Sequence, residues 1–245
     1  MSLDEKLKNL PNGILSTSDL NKNNLKNYEI SRLCKAEKLK RISNGYYYRG
    51  SLRKIDYSEF IRKICPDAVF CLRYALFLHT NRTQKYFDIA IPRSVSQATK
   101  AKIEKVSPRI KCHYVSGNLT DPELGFIVKD GIPTFDYERT ICDFFKFQRY
   151  INVTDEFLRK ISKEYVAKIE ADSIIGKKDL SQADKILYKT IAKMNAANKI
   201  RKYEKEINVS NQKINNFLIY KLTGDKSDKN KPSKRKRKKY KTKWK

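Results

Sequence analysis

Within the stretch "KNYEISRLCKAEK", five side chains able to hydrogen-bond, Asn27, Tyr28, Ser31, Arg32 and Lys35, follow one another at steps of one, three, one and three residues. On a helix those steps keep a single face, with Ile30, Leu33 and Cys34 on the other. A face carrying two cations beside an amide and two hydroxyls suits base edges and phosphates. Arginine matches the two acceptors of guanine, and an asparagine near the start of such a helix can reach adenine. Arg32 and Asn27 are therefore the leading candidates for base contacts. Just downstream, "LKRISNGYYYRG" (residues 39–50) adds Arg41, Asn44 and Arg49, whose chemistry is that of phosphate or minor-groove contact. At the far end "KRKRKKYKTKWK" sets Lys234, Arg235, Lys236, Arg237, Lys238 and Lys239 beside Tyr240 and Trp244. Cations interleaved with aromatic rings suit a nonspecific nucleic-acid arm, one part neutralising phosphates and the other stacking on bases.

Charge points the same way. The chain has 54 Lys and Arg against 27 Asp and Glu, a formal net charge of +27. The last twenty residues supply twelve cations and one acid, so the tail accounts for +11 and the remainder is still strongly basic. A polyanionic partner is expected. Nucleic acid is favoured over a membrane surface, which would call for an amphipathic or lipid anchor. No apolar run approaches the ~20 residues of a membrane span, and "MSLDEKLKNL" carries charge where a signal peptide needs an apolar core. The five cysteines lie among apolar neighbours with no C-x-x-C spacing, which reads as buried thiols in a reducing cytoplasm.

Catalytic patterns are scarce. The eight glycines form no phosphate-cradling loop. His79 and His113 have no partner motif, and the Cys65/Cys71 spacing matches no common zinc pattern. A restriction-type nuclease needs an acid-x-lysine on a strand. The one acid-x-lysine, Asp4 to Lys6, falls in an N-terminal helical stretch. The acids of "FDYERTICD" (Asp136, Glu138, Asp143) could gather near one another, but as a cap and ion pairs they read as structural. No cofactor and no metal are expected, and the chain is read as non-enzymatic. The rival readings are a nucleic-acid-processing enzyme and a nonspecific basic protein that binds nucleic acid or RNA.

The elements that must position these residues follow from pattern. Residues 3–10 read as a short helix stopped by "PNG". Thr17 or Ser18 is expected to cap a second helix, Asn23–Asn24 to form a turn, and a third helix to run from Leu25 to about Glu37. "LKRI" and "YYYR" pair as a hairpin through "SNG", with Leu39 and Ile42 turned toward the helices and Tyr47 covering the core edge. This is the order of a winged helix-turn-helix, whose second helix enters a major groove while the wing touches backbone. Further on, "CPDAVFCLRYALFLH" reads as one buried helix with Pro66 in its first turn. "KYFDIAIP" and "IKCHYV" read as strands, "GFIVKDGIPTF" as a hairpin turning at Asp130–Gly131, and "DYERTICDFFKFQRY" as a helix capped by Asp136. From Thr154 to about Leu222 the pattern is helical, with Ser181 and Asp184 as a capping box. The expected class is α+β. A winged helix-turn-helix domain (1–50) precedes a mixed α/β domain with a helical C-terminal part (51–225) and a basic disordered tail (226–245).

The succession of "GILSTSDL", "LKNYEISRLCKAEKLKRISNGYYY", "AVFCLRYALFLH", "FDIAIP" and "YERTICD" resembles the AbiEi-type antitoxins of bacterial type IV toxin–antitoxin and abortive-infection (phage-defence) systems. The match runs in order over residues 5–150 and more loosely beyond. The resemblance implies a winged helix-turn-helix that binds double-stranded operator DNA and represses its own operon, and a second domain that opposes a toxin. That toxin would be an AbiEii-like nucleotidyltransferase, countered without a stable complex between the two. The chain departs from the family in its basic tail and in Glu37, where family members often have glycine.

Overall fold

The computed structural model describes residues 2–51, 55–80, 83, 85–177, 180–207 and 214–224. The protein is α+β, and its contacts divide it into two units, residues 1–143 and 144–245. The basic tail lies outside the described residues.

The first unit opens with α1 (Leu3–Lys8), β1 (Gly13–Ser16), α2 (Thr17–Lys22) and α3 (Asn27–Lys35), followed by the hairpin of β2 (Lys40–Ser43) and β3 (Tyr46–Arg49). Ser16 caps α2, one residue before the expected Thr17 or Ser18. Its hydroxyl accepts the Asp19 N–H and the Asp19 carboxylate accepts the Ser16 N–H, a reciprocal capping box. Asn24 makes the turn in the left-handed region, at φ 59°. α3 ends in a Schellman arrangement: the Lys38 N–H reaches the Leu33 carbonyl and the Glu37 N–H reaches that of Cys34. This puts Glu37 at φ 55°, a conformation glycine takes more cheaply. Leu10, Leu15, Leu20, Leu25, Ile30, Leu33 and Leu39 form one apolar cluster that binds these helices together.

β1 was not anticipated as a strand. It pairs antiparallel with β3, placing Ile14 opposite Tyr48 and giving a three-stranded sheet of order β1-β3-β2. The β2–β3 register slips between Arg41 and Ser43, a bulge at Ile42. Leu39 joins the helical cluster and Tyr47 packs against it, as expected. Ile42 does not: an odd three residues on from Leu39, it falls on the opposite face and packs against a second cluster built on Phe60, Ile61, Phe70, Ile89, Ile91 and Ile110, which Ile14 and Tyr48 also enter. One core therefore continues across residue 50.

That second core is organised by a five-stranded mixed sheet of order β6-β5-β4-β8-β7, made of β4 (Val69–Phe70), β5 (Phe87–Pro92), β6 (Ile110–Val115), β7 (Phe126–Lys129) and β8 (Ile132–Phe135). With it go α4 (Tyr57–Ile64), α5 (Leu72–His79) and α6 (Gln97–Glu104), the last being the crossover between the parallel strands β5 and β6. The single helix expected over residues 65–79 is corrected. Cys65 ends α4, Val69 and Phe70 pair with β5 and β8, and α5 begins only at Leu72. Asp130 (φ 52°) and Gly131 (φ 73°) form the expected two-residue turn between β7 and β8.

α7 (Tyr137–Phe147) runs from the first unit into the second, which continues as α8 (Asp155–Asp172), α9 (Gln182–Glu206), a π turn (Asn215–Ile219) and α10 (Tyr220–Thr223). Leu158, Ile161, Tyr165, Ile200, Tyr203 and Leu218 are buried there. The Ser181–Asp184 capping box opens α9 as expected.

Candidate nucleic-acid interface

The helix face singled out in the sequence is real. Glu29 is buried, its carboxylate accepting the Lys26 N–H at 2.8 Å and pairing with Lys6 at 2.8 Å, so the start of α3 is tied both to itself and to α1. The Lys26 N–H bond, then the Lys6 bond, hold that carboxyl below its usual range. With Ile30 and Leu33 buried beside it, Asn27, Tyr28, Ser31, Arg32 and Lys35 are all exposed together. Tyr28 is 60% exposed, far more than a tyrosine serving the core. A nine-residue helix is roughly 14 Å long. With its side chains an α-helix is ~10–12 Å across, which a B-DNA major groove ~12 Å wide admits.

The hairpin is held from two sides. At its turn, the Gly45 carbonyl accepts the N–H and hydroxyl of Thr17 at the start of α2, at 2.9 and 3.2 Å. Ser43 faces inward and donates to the Lys102 carbonyl at 3.3 Å. Arg41 and Asn44 remain exposed, joined by a 2.7 Å hydrogen bond from the guanidinium to the amide oxygen. Burial pushes the Cys34 thiol of α3 up while the Arg41 charge opposes that shift, which puts the hairpin cation within electrostatic reach of α3. Arg49 is not brought to this end. It is half-buried opposite Gly13, three residues along β3 from Tyr46 and so roughly 10 Å from the turn. The tail cations Lys234 to Lys239, with Tyr240 and Trp244, fall outside the described residues.

The remaining candidates have structural partners. The Asp136 carboxylate caps α7 by accepting the Arg139 N–H at 2.8 Å. Arg139 then pairs with Asp143 at 3.2 Å and donates to the Leu124 carbonyl at 2.7 Å. His79 donates from Nε2 to the Phe135 carbonyl at 2.8 Å and stacks on Tyr137 at 5.3 Å. Burial lowers its pKa, only partly offset by that hydrogen bond. His113 lies 3.1 Å from Asp88. The cysteines among the described residues are free thiols; burial pushes Cys71 well up and Cys112 to about 12. Among the described residues no group of three or more His, Cys, Asp or Glu could hold a metal ion, and no helix is long and apolar enough to cross a membrane.

Two features escaped the sequence reading. Asp88, the second residue of β5, is fully buried and accepts two bonds from the Arg73 guanidinium, at 2.6 and 2.8 Å. It also accepts the Arg73 N–H at 3.2 Å, supplying the cap that α5 lacks from Cys71. A lone acid between apolar residues in "FDIAIP" was its only signal. The second is the C-terminal end of α6, where Lys102 and the capping residue Lys105 line a groove with the hairpin. No protein-family model matches the chain, and no curated protein matches it.

Proposed function

We propose that the protein is a DNA-binding repressor built on an N-terminal winged helix-turn-helix, with α3 as the recognition helix and the β2–β3 hairpin as the wing. The observation that carries this reading is the joint exposure of Asn27, Tyr28, Ser31, Arg32 and Lys35 on a helix whose other face is buried. The short α2–turn–α3 connection and the β1-β3-β2 sheet behind the hairpin support it. So does the charge of +27, which gives the chain a long-range attraction to polyanions. In this reading the protein works without a cofactor and without a catalytic step, in the cytoplasm. It represses its own operon and, as the AbiEi resemblance suggests, serves as the antitoxin to a nucleotidyltransferase toxin without holding it in a stable complex. The tail adds nonspecific attraction to DNA or RNA.

The test is a gel-shift titration of the full chain on the DNA upstream of its own gene. Arg32→Ala should weaken operator binding by about 1–3 kcal/mol, roughly 5- to 150-fold, if Arg32 reads a guanine. Scrambled DNA should be affected far less. Unchanged operator affinity would remove α3 from its assigned role.

A further inference from the structure

We infer that the groove between the hairpin tip and α6 is a second binding site for the sugar-phosphate backbone of duplex DNA, continuing the contact beyond the first fifty residues. It rests on the DNA-binding reading above and extends it to residues outside the helix-turn-helix.

One wall of the groove carries Arg41 and Asn44, and the other Lys102 of α6 and Lys105, the residue at the C-terminal cap of that helix. No Asp or Glu lines it, and among the described residues none of these three cations has a carboxylate partner. Three like charges drawn around one concavity repel each other, and a polyanion laid between them relieves that repulsion. The rest of the lining is Ser43, whose hydroxyl is engaged by the Lys102 carbonyl, and the apolar Ile42, Ala98 and Ala101. Alanines on a helix let another backbone come close, and an apolar patch between cations fits a deoxyribose flanked by phosphates. A small free anion would use the cations and leave that surface idle, so a polymer backbone fits better.

The groove is also built rather than accidental. Ile42 is half-buried, packed against the core on one side and lining the groove on the other, while Arg41 stays in solvent. The Ser43 hydroxyl is bound to the Lys102 carbonyl, which ties the two walls together. α6 is in turn anchored by buried Ile103 and by its Ser96 cap. Cations held by packed elements lose little freedom when they meet phosphate.

The full-length protein and its Lys102→Gln/Lys105→Gln variant are compared by fluorescence anisotropy on operator and scrambled duplexes over a salt series. Lys105 is exposed and Lys102 half-buried, and an unaltered thermal melt confirms folding. Losing two phosphate contacts should make the slope of log affinity against log salt shallower by roughly 1.8. Affinity at 0.1 M salt should fall ~60-fold, that slope carried over the decade from 1 M. Operator and scrambled DNA should lose equally, whereas Arg32→Ala removes the preference for operator. Lys102→Arg/Lys105→Arg should restore the slope. If the glutamine variant keeps its affinity and slope while Arg32→Ala weakens operator binding, the groove is not a DNA site and the helix-turn-helix reading stands. If the unaltered protein binds neither duplex, both readings fall. If the glutamine variant loses affinity for duplex RNA but not for DNA, the occupant assigned here is wrong.

Discussion

Replacing Asp88 by Asn should cost the first unit about 3 kcal/mol. The Asp88 side chain has no solvent exposure, yet its carboxyl is held below the usual range: burial alone would raise it, but hydrogen bonds from Arg73 and His113 outweigh burial. Asparagine keeps the shape and removes the charge. It turns an NH2 toward donors and leaves the Arg73 guanidinium without its counter-ion. Removing one partner of a buried ion pair costs about 3–5 kcal/mol. Arg73 is 28% exposed and lies over the Tyr86 ring at 4.2 Å, so water and the ring relieve part of its charge. The lower end of the range applies. For a unit of 143 residues, about 3 °C of melting temperature per kcal/mol puts the drop at about 10 °C. Circular-dichroism melts with urea titrations measure both quantities. Adding Arg73→Met to Asp88→Asn should cost little more, since the stranded cation goes with it. Because the folded pKa of Asp88 lies below the unfolded 3.8, its contribution is complete above that pH and is lost as pH falls through the folded value. The gap between wild type and Asp88→Asn should therefore close in strong acid. A loss under ~1 kcal/mol at pH 7 would refute the assignment of a buried, charge-paired carboxylate.

Two further perturbations test the fold that carries the interface. His79, with its pKa lowered by burial from 6.5, should contribute stability that is complete above pH 6.5 and declines as pH falls toward its folded value; His79→Gln should flatten the melting temperature across that window, and an unchanged pH profile would contradict the burial argument. Glu37→Gly should stabilise the protein by about 0.5–1 kcal/mol, because glycine accepts φ 55° without the steric cost a side chain incurs; a destabilised urea midpoint would show that Glu37 makes a contact worth more than its strain.

Local chemistry made the strongest parts of the fold legible. Asp130–Gly131 can hardly be anything but a tight turn, and Ser181 with Asp184 marks the start of α9 before any tertiary contact is considered. The polar face of α3 was readable for a similar reason, since helical spacing alone separates Arg32 from Leu33. What failed was segmentation where the signal is apolar throughout. In residues 65–79 a two-residue strand and an eight-residue helix share one apolar run, and Val69–Phe70 becomes a strand only because β5 and β8 flank it. The cap of α2 failed differently. "STS" offers three equivalent hydroxyls, and the winner is the one at which β1 leaves its pairing with β3.

The interface shows the same division more sharply. Alternation along "LKRIS" puts Arg41 and Ile42 on opposite faces, and Ile42, an odd three residues from Leu39, packs with the second cluster rather than with the helices. Whether Lys102 stands beside Arg41 depends on where the β5–α6–β6 crossover sets down α6, sixty residues further along the chain. The side chains proposed to read bases share one helix and can be found by counting. Cations that would follow a phosphate backbone are gathered from separate elements, so their proximity is a product of tertiary structure. If the proposed interface is right, lysines at the end of a crossover helix such as Lys102 weigh in it as heavily as those of α3.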